Sequence, residues 1–541
     1  MTARVARLAA LLSASAIVGT AACRAAARPA APTPTPIGAP RPQPPSEPVD
    51  ATVNARIRAE ERAHPGVAEI ASVLSDVYGA RLAGSPQYRA AAEWARAALD
   101  SFGLDSARLE PWGRRRGLSW EVTRYSVEMT EPRYARLVAY PKAWSPPIDS
   151  VVRGTPVLLT IHSDSALERH GAELAGAIVM MGDPQPEPGR LDPLGHRFTD
   201  AELDSLARLT DPGHPVDYWD DAEGYAERVA QRNRLGIALR EAGVAAVIER
   251  SHSPNAVMVT SYQAYDSDVS RAVPAFVMSQ WDFDQVTRLV EHGLPVMLEL
   301  SLKTRTSAAD SIGYNIVAEL PGRDPVLAKQ VVMVGAHFDS WTAGTGATDD
   351  AAGVAVAMEA VRILRAIGAV PRRTIRIALW DGEEQEDYFG SMGYVKRHFG
   401  DPETMRLLPE QAAISAYFNI DNGTGRIRGV YLQGDSAARP IVSAWLAPFA
   451  DLGASTVTIA NTGSTDHMPF TAVGIPAFQF IQDPLDYETR THHTNADVAS
   501  NLSVPDLRQA AIVVASVLYH AANRDALLPR RPLPPAHRAN H

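Results

Sequence analysis

The run from Val331 to Asp350, VVMVGAHFDSWTAGTGATDD, restricts this chain more than any other stretch. Val331 to Val334 is short, apolar and β-branched, the composition of a parallel strand buried on both faces. His337 and Asp339 follow where such a strand ends, and in open α/β sheets the chemistry gathers at that carboxyl edge. A Gly-rich loop then leads to Asp349 and Asp350, and AAGVAVAMEAVRILRAIG reads as a helix packing back on the sheet. The spacing therefore predicts a histidine and an aspartate, twelve positions apart, meeting at one rim.

The same alternation runs on from Ile312. YNIVAEL, TIRIALW, ISAYFNI and IPAFQFI read as strands; GSMGYVKRHF, the stretch Ile441 to Leu452 and DLRQAAIVVASVLYHAANR lie between or after them, the last two as helices. The fold class this implies is α/β, with a mostly parallel central sheet flanked by helices. Four further segments end strands or near-strands with metal-type side chains: Glu383 and Glu384 in WDGEEQ, Asp421 in FNIDN, Asp466 and His467 in STDHM, and His492, His493 and Asp497 in THHTNAD. One acid or histidine beyond a strand is ordinarily a cap or a solvated loop residue. Five such sites in one α/β domain point instead to a shared metal centre.

These residues resemble the M28 family of metallopeptidases. The pattern HxDS, GAxDDxxG, GEE, NxD and HTxxD is met by His337 to Ser340, Gly346 to Gly353, Gly382 to Glu384, Asn419 to Asp421 and His493 to Asp497. The resemblance extends from Val53 to about Arg524. It implies two divalent ions, zinc above all, with Asp349 bridging them, His337 and Asp421 completing one site and Glu384 and His493 the other. It makes Glu383 the general base, and peptides the substrates. Three carboxylates and two imidazoles suit zinc and offset much of a dimetal charge. Asp339 is expected to orient His337 through its second ring nitrogen. Several aminopeptidases of the family carry a tyrosine before the last metal histidine; here His492 stands there, so oxyanion support is assigned to His492 or Tyr487, and pocket lining or structural support to Asp466 and His467.

Two other readings are weighed. A glutaminyl cyclase of the same fold needs one zinc, and the presence of both His337 and Asp421 favours two. A non-catalytic binding protein would have shed ligands, and here the full set is present. A net charge of −10 argues against nucleic acid as a partner.

At 541 residues the chain is too long for one core. Arg4 and Arg7 precede an apolar, small-residue stretch, Leu8 to Ala22, shaped like an export signal and short for a membrane span. Its single cysteine, Cys23 in GTAACR, resembles a lipoprotein box, with Thr20 where that motif prefers leucine. Lipidation with membrane anchoring, or ordinary cleavage nearby, are the two outcomes, and both export the protein to the periplasm or beyond. Residues 24–48 are Pro- and Ala-rich and read as a disordered tether. Residues 49–120 form the N-terminal part of the catalytic domain, and 306–526 the remainder. Between them, 121–305 reads as an inserted β-rich domain resembling the protease-associated domain, with a polar surface excursion over 184–232. The remaining histidines, His162, His170, His196, His214 and His252 among them, are assigned to solvated surface. The tail, 527–541, is expected to be disordered.

Overall fold

The computed structural model describes residues 47–115, 117–159, 171–182, 193–213, 218–260, 272–308, 311–386 and 388–537. The export signal and, but for Glu47 and Pro48, the tether lie outside the described residues, as do His162, His170 and His214. His196 and His252 are exposed, in line with their assignment.

One eight-stranded sheet organises the catalytic part. Its strand order is Asp105–Arg114, Ile312–Leu320, Thr374–Trp380, Val331–His337, Ile414–Asn419, Ala477–Gln482, Ile427–Tyr431 and Thr456–Thr458. The four central strands run parallel, from Thr374–Trp380 across to Ala477–Gln482. Their carboxyl ends therefore share one edge of the sheet, and each leads into one of the metal-type motifs. The Val331–His337 strand is buried at every position, which explains why it reads as a continuous apolar run rather than an alternating one. The sheet's edge strand Asp105–Arg114 pairs antiparallel with Ile312–Leu320 and alternates polar and apolar residues, so it carries no such run.

Helices cover both faces. Ala352–Ala366, Val504–Asn523, Ala51–Ala63 and Pro86–Ser101 bury Val354, Leu364, Leu507, Val514, Ile57 and Leu99 in one cluster with Val332 and Val334. Phe389–His398 and Met468–Ala472 close the other face with Tyr394, Val395 and Phe470 against Met333 and Trp380. The tail departs from expectation. Leu528 is 2% exposed, its N–H donates to Ser415 Oγ at 3.2 Å, and Arg530 and Arg531 donate to the carbonyls of Ile414 and Gln433. Apolar and basic residues among the prolines give the segment anchors that its composition conceals.

The region 119–307 holds two further sheets. Ser119–Glu131 and Met297–Ser307 form the long ladder of a four-stranded sheet, and Ala139–Pro141, Ala275–Met278, Ala246–Arg250, Ile178–Met181 and Pro156–Leu159 make a five-stranded one. Of the 184–232 stretch, expected to be a polar surface excursion, the described part contains the helix Asp200–Ala207 and the start of Tyr218–Glu241. Thr199 and Glu202 form a capping box at the first of these, a start signal that the surrounding Pro and Asp obscured.

Candidate metal centre

At the carboxyl edge of the parallel strands the predicted ligands converge on one carboxylate. His337 Nε2 lies 3.0 Å from Asp349 Oδ1 and 3.5 Å from Asp421 Oδ1. On the other side, His493 Nε2 lies 3.2 Å from Asp349 Oδ2 and 2.9 Å from Glu384 Oε2. Asp349 thus presents one oxygen to each histidine. Two ligand sets with ion-sized spacing share it: His337, Asp349 and Asp421, and Asp349 with His492 and His493. The second set contains His492 by proximity, but His492 Nε2 is 3.9 Å from Asp349 and its Nδ1 is 3.6 Å from Glu488, whereas Glu384 touches His493 directly. We therefore take Glu384 as the stronger partner there.

The electrostatics call for a cation. Burial pushes the carboxyl groups of Glu383 and Glu384 well above the ordinary range, reinforced at Glu384 by Asp349 and opposed at both by His337. Burial acts the same way on Asp350. For Asp349 burial is outweighed by the hydrogen bond from His337 and by that residue's charge, and its carboxyl is held low. Burial, and then His492, take His493 down to about 3, so the imidazole is neutral and able to donate a lone pair. Glu384 Oε1 and Asp349 Oδ2 are buried without a hydrogen bond among the described residues. Buried carboxylate oxygens left so are costly unless an ion meets them, and the oxygen and nitrogen donors present fit divalent zinc.

Asp339 has a different task from the one expected. His337 Nδ1 meets the backbone carbonyl of Asp339 at 3.0 Å, while the Asp339 carboxylate is 3.9 Å away. That carboxylate accepts from the N–H groups of Glu383 and Glu384, at 3.1 and 3.2 Å. It thereby caps the short helix Glu383–Glu386 and fixes the glutamate pair, while the main chain of the same residue sets the imidazole's tautomer.

His467, expected as pocket lining or structural support, is 1% exposed; its Nε2 meets the Thr462 carbonyl at 3.0 Å, and burial lowers it to about 4. It is a neutral buried support. Asp466 beside it accepts from Ser391 Oγ, and burial raises it to about 8 against that bond. Tyr487 is 6% exposed and stacks on His492 at 4.7 Å between ring centroids, so both residues assigned to oxyanion support sit on one loop beside the ligands. Asp497 accepts from Thr348 N and Oγ1, fixing the loop immediately before Asp349. Asn419 joins a buried chain in which Trp380 Nε1 donates to Tyr417 Oη, Tyr417 to Asn419 Oδ1, and Asn419 Nδ2 to Thr465 Oγ1.

Sequence reasoning missed Arg81. Its side chain is fully buried and donates to the carbonyls of Phe338 at 2.8 Å, Thr345 at 3.1 Å and Gly346 at 2.8 Å, while its N–H donates to Ser340 Oγ. One guanidinium thus ties together the two loops that carry His337 and Asp349. Gly346 makes this approach feasible, with φ of +64° and only 2.9 Å between a notional Cβ and Arg81 Nη2. An arginine among RLAGSP, 256 positions from His337, gives no signal of this in sequence. Arg81→Ala leaves several buried carbonyls unpaired and is expected to cost about 3–5 kcal/mol, read as a lowered midpoint in thermal denaturation. An unchanged midpoint would show that the two loops hold their shape without it.

Comparison with known proteins bears on the family and the fold. Residues 315–518 match the model of Peptidase family M28. Carboxypeptidase Q from Homo sapiens is 26% identical over 469 residues, covering 85% of this chain and 86% of its own. The crystal structure of a peptidase M28 precursor from Shewanella amazonensis SB2B superposes with a TM-score of 0.64 at 26% identity, covering 90% of this chain and 98% of that one. The fold is also that of BSAP, a zinc aminopeptidase from Bacillus subtilis, with a TM-score of 0.52 at 19% identity over 85% of this chain and 95% of BSAP.

Proposed function

We propose that this M28 metallopeptidase is a two-metal, zinc-dependent exopeptidase, with peptides as its substrates. The observation that carries the reading is the placement of Asp349, one oxygen towards His337 and the other towards His493. His337, Asp349 and Asp421 would hold one ion, and Asp349, Glu384 and His493 the second. Such ions supply Lewis-acid polarisation of the scissile carbonyl and a water acidified to near neutrality. Glu383, set beside this cluster and biased by burial towards accepting a proton, takes the proton of the attacking water and delivers it to the departing amine. His492 or Tyr487, on the loop that carries His493, would support the developing oxyanion. A one-zinc cyclase reading leaves one of the two ligand sets without a task.

The relatives bear the names of a carboxypeptidase and an aminopeptidase, and exopeptidase is what those names share. A peptide library blocked at either end, digested by zinc-loaded protein and read by mass spectrometry, separates the two. Loss of single residues from one end is the expected result. Internal cleavage, or no cleavage of any peptide, would overturn the reading.

The strand-rich sequence of residues 121–305 fits a protease-associated-like insertion, and Cys23, just past the N-terminal apolar stretch, fits an export and anchoring signal. Cys23→Ala is expected to move the full-length protein from the membrane fraction to the soluble one on ultracentrifugation. Unchanged partitioning would remove the anchor.

A further inference from the structure

The loop from Asp483 to Asp497 carries Tyr487, His492 and His493, and it is gripped from two sides by the inserted region. On one side the segment Leu194–Thr199 lies along its first half. His196 N–H donates to the Leu485 carbonyl at 2.7 Å, and Thr489 Oγ1 donates to the Leu194 carbonyl at 2.6 Å. Arg197 bridges two buried carboxylates, Asp483 at 2.8 Å and Asp506 at 2.6 Å, and Phe198 N–H donates to Asp483 Oδ1. On the other side the segment Asn255–Val259 lies along the second half. Asn255 Nδ2 donates to the Thr489 carbonyl at 2.9 Å, and Val257 N–H to Asn495 Oδ1 at 2.7 Å. Asn495 N–H donates back to the Val257 carbonyl, and Val259 N–H donates to the carbonyl of His493 itself at 3.0 Å.

His493 needs such holding. It is a non-glycine residue at φ of +59°, a backbone region that costs free energy unless its surroundings impose it. Its partners Asp349 and Glu384 stand at the carboxyl edge of the sheet, whereas the carbonyl of His493 itself is held by the insertion. The other ligand set depends on it less: His337 ends a central strand and Asp421 lies just beyond the adjacent one, and only the shared Asp349 is reached from the 483–497 loop, through Asp497.

We infer that the inserted region is a positioning element chiefly for one of the two metal sites: its clamp on the 483–497 loop sets the ion affinity at Glu384 and His493 far more than that at His337 and Asp421. The inference rests on the two-metal reading proposed for this site. Coupling of this kind is reciprocal, so an ion bound at His493 must tighten the clamp by the same factor that the clamp tightens the ion. Partners of metal ligands at one remove are commonly worth 10- to 100-fold in metal affinity, which sets the expected size.

Arg197→Ala is the sharpest variant, because Asp483 keeps Arg428 at 2.9 Å and Asp506 keeps Arg426 at 3.2 Å, so no buried carboxylate is left uncompensated. Zinc binding to the full metal-stripped chain, measured in competition with a chromophoric chelator, is expected to show two sites in the parent protein. In Arg197→Ala one site is expected to weaken roughly 10- to 100-fold with the other changed far less, and Arg197→Lys should recover part of the loss. A second measurement needs no variant: backbone hydrogen exchange in 194–199 and 255–259 is expected to slow on adding zinc to the parent protein. Two sites with parental affinity in Arg197→Ala, together with zinc-independent exchange, would overturn the inference and leave the two-metal reading standing. A single site in the parent protein would overturn both.

Discussion

Glu383→Gln is expected to keep both ions while kcat falls by about 10²- to 10⁴-fold, the usual worth of a general base. The substitution preserves size, and the N–H groups of residues 383 and 384 remain held by the Asp339 carboxylate, so the helix start at Glu383–Glu386 survives. What disappears is proton affinity at one oxygen beside the metal cluster. The neighbouring Glu384→Gln should behave in the opposite sense. Its carboxylate lies 2.9 Å from His493 Nε2, so neutralising it should empty the second ion site and leave activity that recovers with excess zinc. Metal analysis of the two variants beside their kinetics checks the contrast. Metal lost at Glu383→Gln and retained at Glu384→Gln would exchange the two roles.

Asp349→Asn is expected to have a larger effect than the loss of any other ligand, because this one carboxylate serves both sets. Asp421→Asn removes a donor from the His337 set alone, whereas Asp349→Asn removes an anionic oxygen from each and leaves His337 and His493 without their shared partner. Metal content should fall towards zero, with no rescue at zinc concentrations that restore Glu384→Gln. Stability should fall with it, since an ion present at about 1,000 times its dissociation constant contributes roughly 4 kcal/mol to the folded state. Zinc should therefore raise the thermal midpoint of the parent protein and leave that of Asp349→Asn where it is. A variant holding one ion tightly and stabilised by it would show that the two sites do not share Asp349.

The residues that converge at the candidate centre were legible in sequence because a buried parallel strand is a continuous apolar run, and the residues just past its carboxyl end stand by topology at one edge of the sheet. Val331 to His337, Thr374 to Trp380 and Ile414 to Asn419 all announce themselves in this way. Other features were legible only in part. The Asp105–Arg114 strand lies at the sheet edge, half-solvated, and so lacks the apolar run. The role of Asp339 divides between its main chain and its carboxylate, which no spacing rule distinguishes. Arg81, Arg197 and Asn255 act through contacts 234 to 309 positions away along the chain, and each looks like an ordinary surface residue in its own neighbourhood. The tail shows the converse error. Its prolines suggested disorder, while Leu528, Arg530 and Arg531 supply specific anchors on the catalytic domain.

The central claim is that two ions share one aspartate at the edge of the parallel sheet. It is tested most directly by counting metal per chain, by elemental mass spectrometry, in protein purified without chelator and again after zinc is returned to the stripped protein. Two ions per chain, with peptide hydrolysis rising only as the sites fill, is the predicted result. One ion per chain at full activity, or hydrolysis by the metal-free protein, would contradict it.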